Sequence, residues 1–299
     1  MVNNLLNAVR MATQIFGFFL SNAYIAAFVK REIYKGPFKA TCIPFLYCHT
    51  CPSAAFSCPV GTVQHYLAIH QFPFFDVGHL MLVGLLVGRM VCGWLCPFGL
   101  VQDLLYRIQS VKIRIPKLFS VGPYVVLLLL VLWLPYATSE HWFSKLCPVG
   151  TLVAGIPWIV WNPINPETGT PTIAAGTVGF LFAVKLILLG GFLYLFVVTK
   201  RPFCRFVCPL GLFYSFFNKV SVMKLQVAEN CNRCGICQKN CPMDLKVYED
   251  PNALDCIRCL QCTACKKVTI TTSLPLTGRK GVEDHASVKE GKLAGRSST

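Results

Sequence analysis

Charge is what this 299-residue chain has least of: Asp, Glu, Lys and Arg make up 14% of it, against about 25% in soluble globular proteins. That shortage argues against a soluble single-domain enzyme. Acidic residues are scarcer still, 13 against 28 Lys and Arg, which leaves a formal charge of +15. Apolar residues reach 54%, and this excludes an intrinsically disordered chain. Positive charge on so apolar a chain reads as Lys and Arg in the cytoplasmic loops of a membrane protein, with no nucleic acid needed. The start of the chain also lacks the short basic region and A-x-A cleavage site of a signal peptide, so the first apolar stretch reads as a retained helix.

Four segments can each cross a hydrocarbon layer of about 30 Å: Met11 to Val29, Val77 to Leu95, Ser120 to Thr138, and Ile173 to Val198. The expected fold is therefore a mainly α membrane protein of about four transmembrane helices. Basic residues cluster between the second and third segments (Arg107, Lys112, Arg114, Lys117) and after the fourth (Lys200, Arg201, Arg205, Lys219, Lys224). Lys and Arg mark the cytoplasmic side, so this end and everything C-terminal to it are expected there. The first connection, with Lys30, Arg31, Lys35 and Lys39, is the exception to that rule.

The chain repeats itself. CPVGT occurs at Cys58 to Thr62 and again at Cys147 to Thr151, while RMVCGWLCPFGL from Arg89 is echoed by RPFCRFVCPLGL from Arg201. The order in each half is helix, CPVGT, helix, R-x2-C-x3-C-P-x-G-L, which reads as a duplicated two-helix unit. An even number of spans per unit makes the repeat parallel, with equivalent motifs on one face. Residues 1–222 form the transmembrane domain on this reading, with halves of about 10–112 and 118–222. Residues 223–272 form a second domain, and 273–299 a polar, disordered tail.

Seventeen cysteines fall into three groups. Cys231, Cys234, Cys237 and Cys241, followed by Pro242, and then Cys256, Cys259, Cys262 and Cys265 are spaced as in a bacterial-type 2[4Fe-4S] ferredoxin domain (α+β). In such domains the fourth cysteine of each run ligates the other cluster. Cys265 would then join Cys231, Cys234 and Cys237, and Cys241 would join Cys256, Cys259 and Cys262. The second run departs from the pattern in having two residues before Cys265 and then Lys266. Zinc is the competing reading of paired C-x2-C spacing.

The second group is the duplicated C-x3-C-P pair, Cys92 with Cys96 and Cys204 with Cys208. A spacing of four puts both sulfurs on one side of a helical turn, and the proline suits the first turn of a new helix whose amides favour a thiolate. Pseudo-symmetry would assemble four sulfur ligands here; redox-active or packed thiols are the alternative. The third group, Cys48, Cys51, Cys58 and Cys147, lies at the opposite end and admits a cluster, disulfides or free thiols. Cys42 is left over. One or two further clusters in the membrane domain would thus join the two of the ferredoxin domain.

Lys185, in the middle of the fourth segment, is a candidate quinone contact, because charged residues inside a membrane span are usually functional. His79, beside Asp76, is a candidate cofactor contact, and His65, His70 and His141 are further proton acceptors near that end.

Together the four spans, the two C-x3-C-P motifs and the two-cluster run, covering roughly residues 10 to 272, resemble the NapH family of membrane-bound quinol dehydrogenase subunits and the related NosR-type polyferredoxins. The resemblance implies a multi-pass protein of a prokaryotic inner membrane, lipid-embedded, with its ferredoxin domain in the cytoplasm. It implies that electrons taken from menaquinol in the quinone pool pass through iron–sulfur clusters to a partner redox protein. A maturation or regulatory protein that supplies electrons for assembling another metalloenzyme is the alternative. Cys42, Cys48, Cys51, Cys58 and Cys147 are additional to the family's usual pattern.

Overall fold

Helices account for most of the chain, and their burial runs opposite to that of a soluble bundle. The computed structural model describes residues 2–27, 34–113, 120–162, 179–265 and 267–272. The polar tail and the start of the fourth expected span, 173–178, lie outside the described residues. Helix α1, Val2–Ser21, buries Arg10, Gln14, Gly17 and Ser21, spaced three and four apart on one face. Its exposed residues include Leu5, Ile15, Phe16, Phe18 and Phe19. The apolar helix α3, Phe74–Val87, follows α2, Pro59–Ala68, and buries Asp76, Leu80 and Gly84. Meanwhile Phe74, Phe75, Leu82 and Leu86 lie open. Contiguous apolar surface on this scale needs a cover other than water.

The second expected span is not one straight helix. It ends at Gly88, whose φ of 59° and ψ of −137° suit a residue without Cβ. The chain restarts as α4, Met90–Trp94, then α5, Pro97–Tyr106. The third expected span corresponds to the continuous apolar helix α6, Gly122–Thr138, with a π-helical stretch at Val126–Trp133. A short helix α7, Trp142–Leu146, leads to α8, Pro148–Trp161. Helix α9, Phe180–Val198, is long and apolar enough by itself to cross a membrane; among the described residues it is the one helix that meets that length. Helices α10, Pro202–Phe206, and α11, Pro209–Phe217, close the bundle.

The connection before α2 is no surface loop. Ile43, Phe45, Leu46, Tyr47, Cys51, Ala54 and Cys58 are all buried and belong to the same core as Cys92, Phe203 and Tyr214. The C-terminal domain is held by an antiparallel pair, β1 (Met223–Val227) and β2 (Val268–Thr272), in register from Met223 opposite Thr272 to Val227 opposite Val268. Between the strands run the cysteine loops, with one short helix, α12, Ile236–Lys239, and a 3-10 turn at Gln261–Cys265.

This domain docks tightly on the bundle. A Cβ on Gly93 would lie 2.5 Å from the Ile257 carbonyl, so only glycine lets the Cys256–Cys259 loop approach α4. Trp94 Nε1 donates to the Arg258 carbonyl at 3.0 Å, and Asn218 Nδ2 donates to the Cys256 carbonyl at 2.8 Å.

Candidate metal centres

One local device recurs four times. Cys58, Cys96, Cys147 and Cys208 are each the N-cap of a helix that begins with proline. In each case the sulfur accepts the backbone N–H three residues on, from Gly61, Gly99, Gly150 and Gly211; for Cys208 the distance is 3.3 Å. Amides at a helix N-terminus stabilise a sulfur anion. In both CPVGT helices the threonine hydroxyl also donates back to the cysteine carbonyl, Thr62 at 2.9 Å and Thr151 at 3.2 Å.

At the C-x3-C-P end the two halves exchange contacts reciprocally. Arg89 Nη2 donates to the Cys204 carbonyl at 2.5 Å, and Arg201 Nη1 donates to the Cys92 carbonyl at 3.2 Å. Each arginine also lies over the other half's cap glycine: a Cβ on Gly211 would be 2.8 Å from Arg89 Nη2, and one on Gly99 would be 3.4 Å from Arg201 Nη1. Cys92, Cys96, Cys204 and Cys208 are buried, and every pair among them interacts electrostatically. Gln102 Nε2 donates to Cys204 Sγ at 3.0 Å. Arg201 is fixed by a two-pronged ion pair to Asp103, 2.7 and 2.6 Å, and Arg10 joins the same carboxylate at 3.1 Å. Burial alone would raise Asp103, but Arg201 and Arg10 overcome it and hold the carboxyl below its usual range.

Every pair among Cys241, Cys256, Cys259 and Cys262 likewise interacts. Burial pushes the Cys256 thiol up to about 11 and Cys259 up to about 12. Such thiols give up their protons only to a positive group that replaces them, so ligation here releases protons. In the first run Cys237 interacts with Cys265, while Cys231 is half-buried and Cys234 exposed. The two runs share one backbone path: Arg233 and Arg258, then Gly235 and Leu260, occupy left-handed conformations at matching places. Alternation of that kind turns successive amides toward an anion.

The residues around these two sets fit an anionic cluster. Arg10, Arg89 and Arg258 are buried, and each keeps buried N–H groups with no partner among the described residues. Arg10 interacts with Cys259, Arg89 with Cys92, and Arg258 with Cys256. Unmatched buried donors are costly, and the bridging sulfides of a cluster are acceptors that would engage them. Among the described residues no three His, Cys, Asp or Glu side chains are arranged to hold a single metal ion.

At the CPVGT end Cys48, Cys58 and Cys147 interact mutually, whereas Cys51 interacts with Cys48. Cys51 Sγ also meets Ser53 Oγ at 3.4 Å and the Tyr47 hydroxyl at 3.5 Å. No disulfide joins any two of the seventeen cysteines. Lys185 is half-buried on α9, with no hydrogen bond or ion pair among the described residues. His79 is half-buried on α3 and interacts with the buried Asp76. Neither residue touches a cysteine group.

Sequence reasoning passed over three participants. His49 packs against the Cys58 cap, since a Cβ on Gly61 would meet its Nδ1 at 2.8 Å. It shares its surroundings with His65 and His141, whose rings stack at 5.7 Å. Tyr214 is wholly buried, and its hydroxyl donates to the Pro44 carbonyl at 2.9 Å. Asp103, the common partner of two arginines, carried no motif at all.

Two apolar cavities complete the bundle, and their walls are equivalent. One, of about 240 Å³, lies between the Cys58 helix (Pro59, Val60, Val63) and the Cys208 helix (Pro209, Leu210, Phe213). The other, of about 180 Å³, lies between the Cys147 helix (Val149, Leu152, Val153) and the Cys96 helix (Pro97, Phe98, Val101). Each pairs a CPVGT helix of one half with a C-P-x-G helix of the other.

A family described as a 4Fe-4S binding domain matches residues 69–116 and again 180–227, each stretch carrying one C-x3-C-P pair. An uncharacterized protein of Methanocaldococcus jannaschii is 32% identical over 204 residues, 65% of this chain and 76% of that protein. The ferredoxin-type protein NapH of Haemophilus influenzae is 25% identical over 268 residues, 83% of this chain and 81% of NapH. The methylamine utilization ferredoxin-type protein MauN of Methylorubrum extorquens is 27% identical over 156 residues, 52% of this chain and 47% of MauN. No solved structure matches. Reciprocal C-x3-C-P halves joined to a two-run cysteine domain define a 4Fe-4S polyferredoxin. The chain belongs to the NapH-like family of these proteins.

Proposed function

We propose that this protein spans a prokaryotic cell membrane as about four helices in two parallel, pseudo-symmetric halves. In it, iron–sulfur clusters pass single electrons from the quinol pool to a partner redox protein. The observation that carries this reading is the continuity of sulfur ligands. Cys92, Cys96 and Cys208 share one buried core with Cys241 and Cys259, and Arg201 interacts with both Cys204 and Cys259. A cluster on the C-x3-C-P quartet would hand electrons to the cluster on Cys241, Cys256, Cys259 and Cys262. From there they would reach the cluster on Cys231, Cys234, Cys237 and Cys265, whose exposed Cys234 suits an exit to the partner.

The inside-out burial of α1 and α3 supports lipid around the bundle, and the basic loops at the C-x3-C-P end support a cytoplasmic ferredoxin domain. The paired apolar cavities suit the isoprenoid tails of menaquinol. Each quinol oxidised would release two electrons, taken singly by clusters, and two protons, for which His79 with Asp76 and the His65–His141 pair are the acceptors. Lys185 contributes neither cavity wall, so a part in quinol binding for it rests on its place in α9 alone.

The test is anaerobic oxidation of a menaquinol analogue by the purified full-length protein in detergent, with cluster reduction followed by EPR. One quinone formed per two reduced centres supports the reading. Clusters that stay oxidised under excess quinol, but accept electrons from a soluble donor, would turn it toward the maturation role.

A further inference from the structure

We infer that the CPVGT end holds a further iron–sulfur cluster, bound by Cys48, Cys51, Cys58 and Cys147. This deepens the function proposed above and rests on it.

Three observations carry the inference. Cys58 and Cys147 use the same amide-capped arrangement as Cys96 and Cys208, and Cys48 of the intervening loop stands at the Cys147 cap, where a Cβ on Gly150 would lie 3.5 Å from its Sγ; Cys51 follows at the C-x2-C spacing common in cluster loops. The loop itself is buried irregular backbone, and it carries Cys51 and Cys58 into the interior of the protein. Positive charge is at hand as well. Lys39 interacts with Cys48 and Cys51, and its Nζ is fixed by the Ala54 carbonyl at 3.0 Å.

Tyr214 links the Cys208 helix to the buried loop that carries Cys48 and Cys51. It stands on the Cys208 helix, interacts with Cys92 on one side and Cys42 on the other, and is bonded to Pro44 of the buried loop. Cys42 in turn interacts with Cys58. An electron leaving a reduced cluster at the CPVGT end, which is thereby oxidised by one, would reduce the C-x3-C-P cluster by one. No bond forms or breaks, no proton moves, and Tyr214 itself is unchanged.

The test is iron and acid-labile sulfide analysis of the anaerobically purified full-length protein, beside Cys58→Ser/Cys147→Ser and Cys42→Ser. The inference expects about sixteen irons per chain in the unmodified protein, at four per cubane. It expects a loss of about four in the double variant and none in Cys42→Ser. About twelve irons in the unmodified protein would overturn it, as would Cys48, Cys51, Cys58 and Cys147 that alkylate only after disulfide reduction. If the double variant does not accumulate in membranes, the count on the unmodified protein decides alone. Failure of the underlying electron-transfer reading is distinguishable: clusters would be present in full number yet untouched by quinol.

Discussion

The two cysteine ends of the bundle are built from one backbone device and dressed with different electrostatics. At both, a cysteine caps a helix, a proline starts it, and a glycine amide reaches back to the sulfur. Around Cys92, Cys96, Cys204 and Cys208 stand Arg89 and Arg201, fully buried and locked in part by Asp103. Around Cys48, Cys51, Cys58 and Cys147 stand Lys39, His49 with its neighbours His65 and His141, and, at Cys51, the hydroxyls of Tyr47 and Ser53, which both donate to Asn22 Oδ1. Permanent guanidinium charge stabilises the reduced form of a cluster, and so raises its potential, more than a set of neutral or titrating groups. In the path proposed above, electrons would therefore run from the histidine-lined end toward the arginine-lined end.

The largest effect is expected from removing Asp103, the carboxylate that pairs two buried arginines at the C-x3-C-P end. Asp103→Ala strands Arg10 and Arg201 as buried, unpaired charges. It should cost about 3–5 kcal/mol, seen as a lowered thermal midpoint in detergent; an unchanged midpoint would mean that the arginines are hydrated. Gly93→Ala drives a methyl group into the Ile257 carbonyl and should cost about 1–3 kcal/mol. Its signature is selective: limited proteolysis should release the C-terminal domain from the bundle faster, with the CPVGT end unaffected.

Smaller effects sharpen the contrast in potential. Arg89→Gln should lower the potential of the C-x3-C-P centre by about 60 mV, the one-electron equivalent of a tenfold equilibrium change, in an EPR-monitored titration. Equal shifts at both ends would erase the distinction. Tyr214→Phe keeps the packing and removes one hydrogen bond, so its cost should be about 1 kcal/mol and its iron content unchanged.

Much of this arrangement is legible in the chain itself, because cluster ligands must come from cysteines at short, fixed spacings. The runs from Cys231 and Cys256, the repeat of RMVCGWLCPFGL in RPFCRFVCPLGL, and the change of composition at Met223 are all local signals. What the sequence hides is long-range. His65 of α2 stacks on His141, which caps α7, and Asp103 pairs with arginines from α1 and from the turn after α9. The second apolar stretch hides its break too, since Val77 to Leu95 reads as one span until Gly88 takes up positive φ. The burial of the loop at Ile43–Cys58 has no periodic pattern to announce it. Its packing is fixed by residues far along the chain, among them Tyr214.

The claim on which the rest depends is that Cys92, Cys96, Cys204 and Cys208 jointly hold one centre beside the ferredoxin clusters. Cys92→Ser/Cys204→Ser, purified anaerobically beside the unmodified protein and compared by iron content and EPR, tests it most directly. The account predicts a loss of about four irons, retention of both ferredoxin signals, and loss of their broadening by a nearby third spin. Full iron content with unchanged spectra would contradict it.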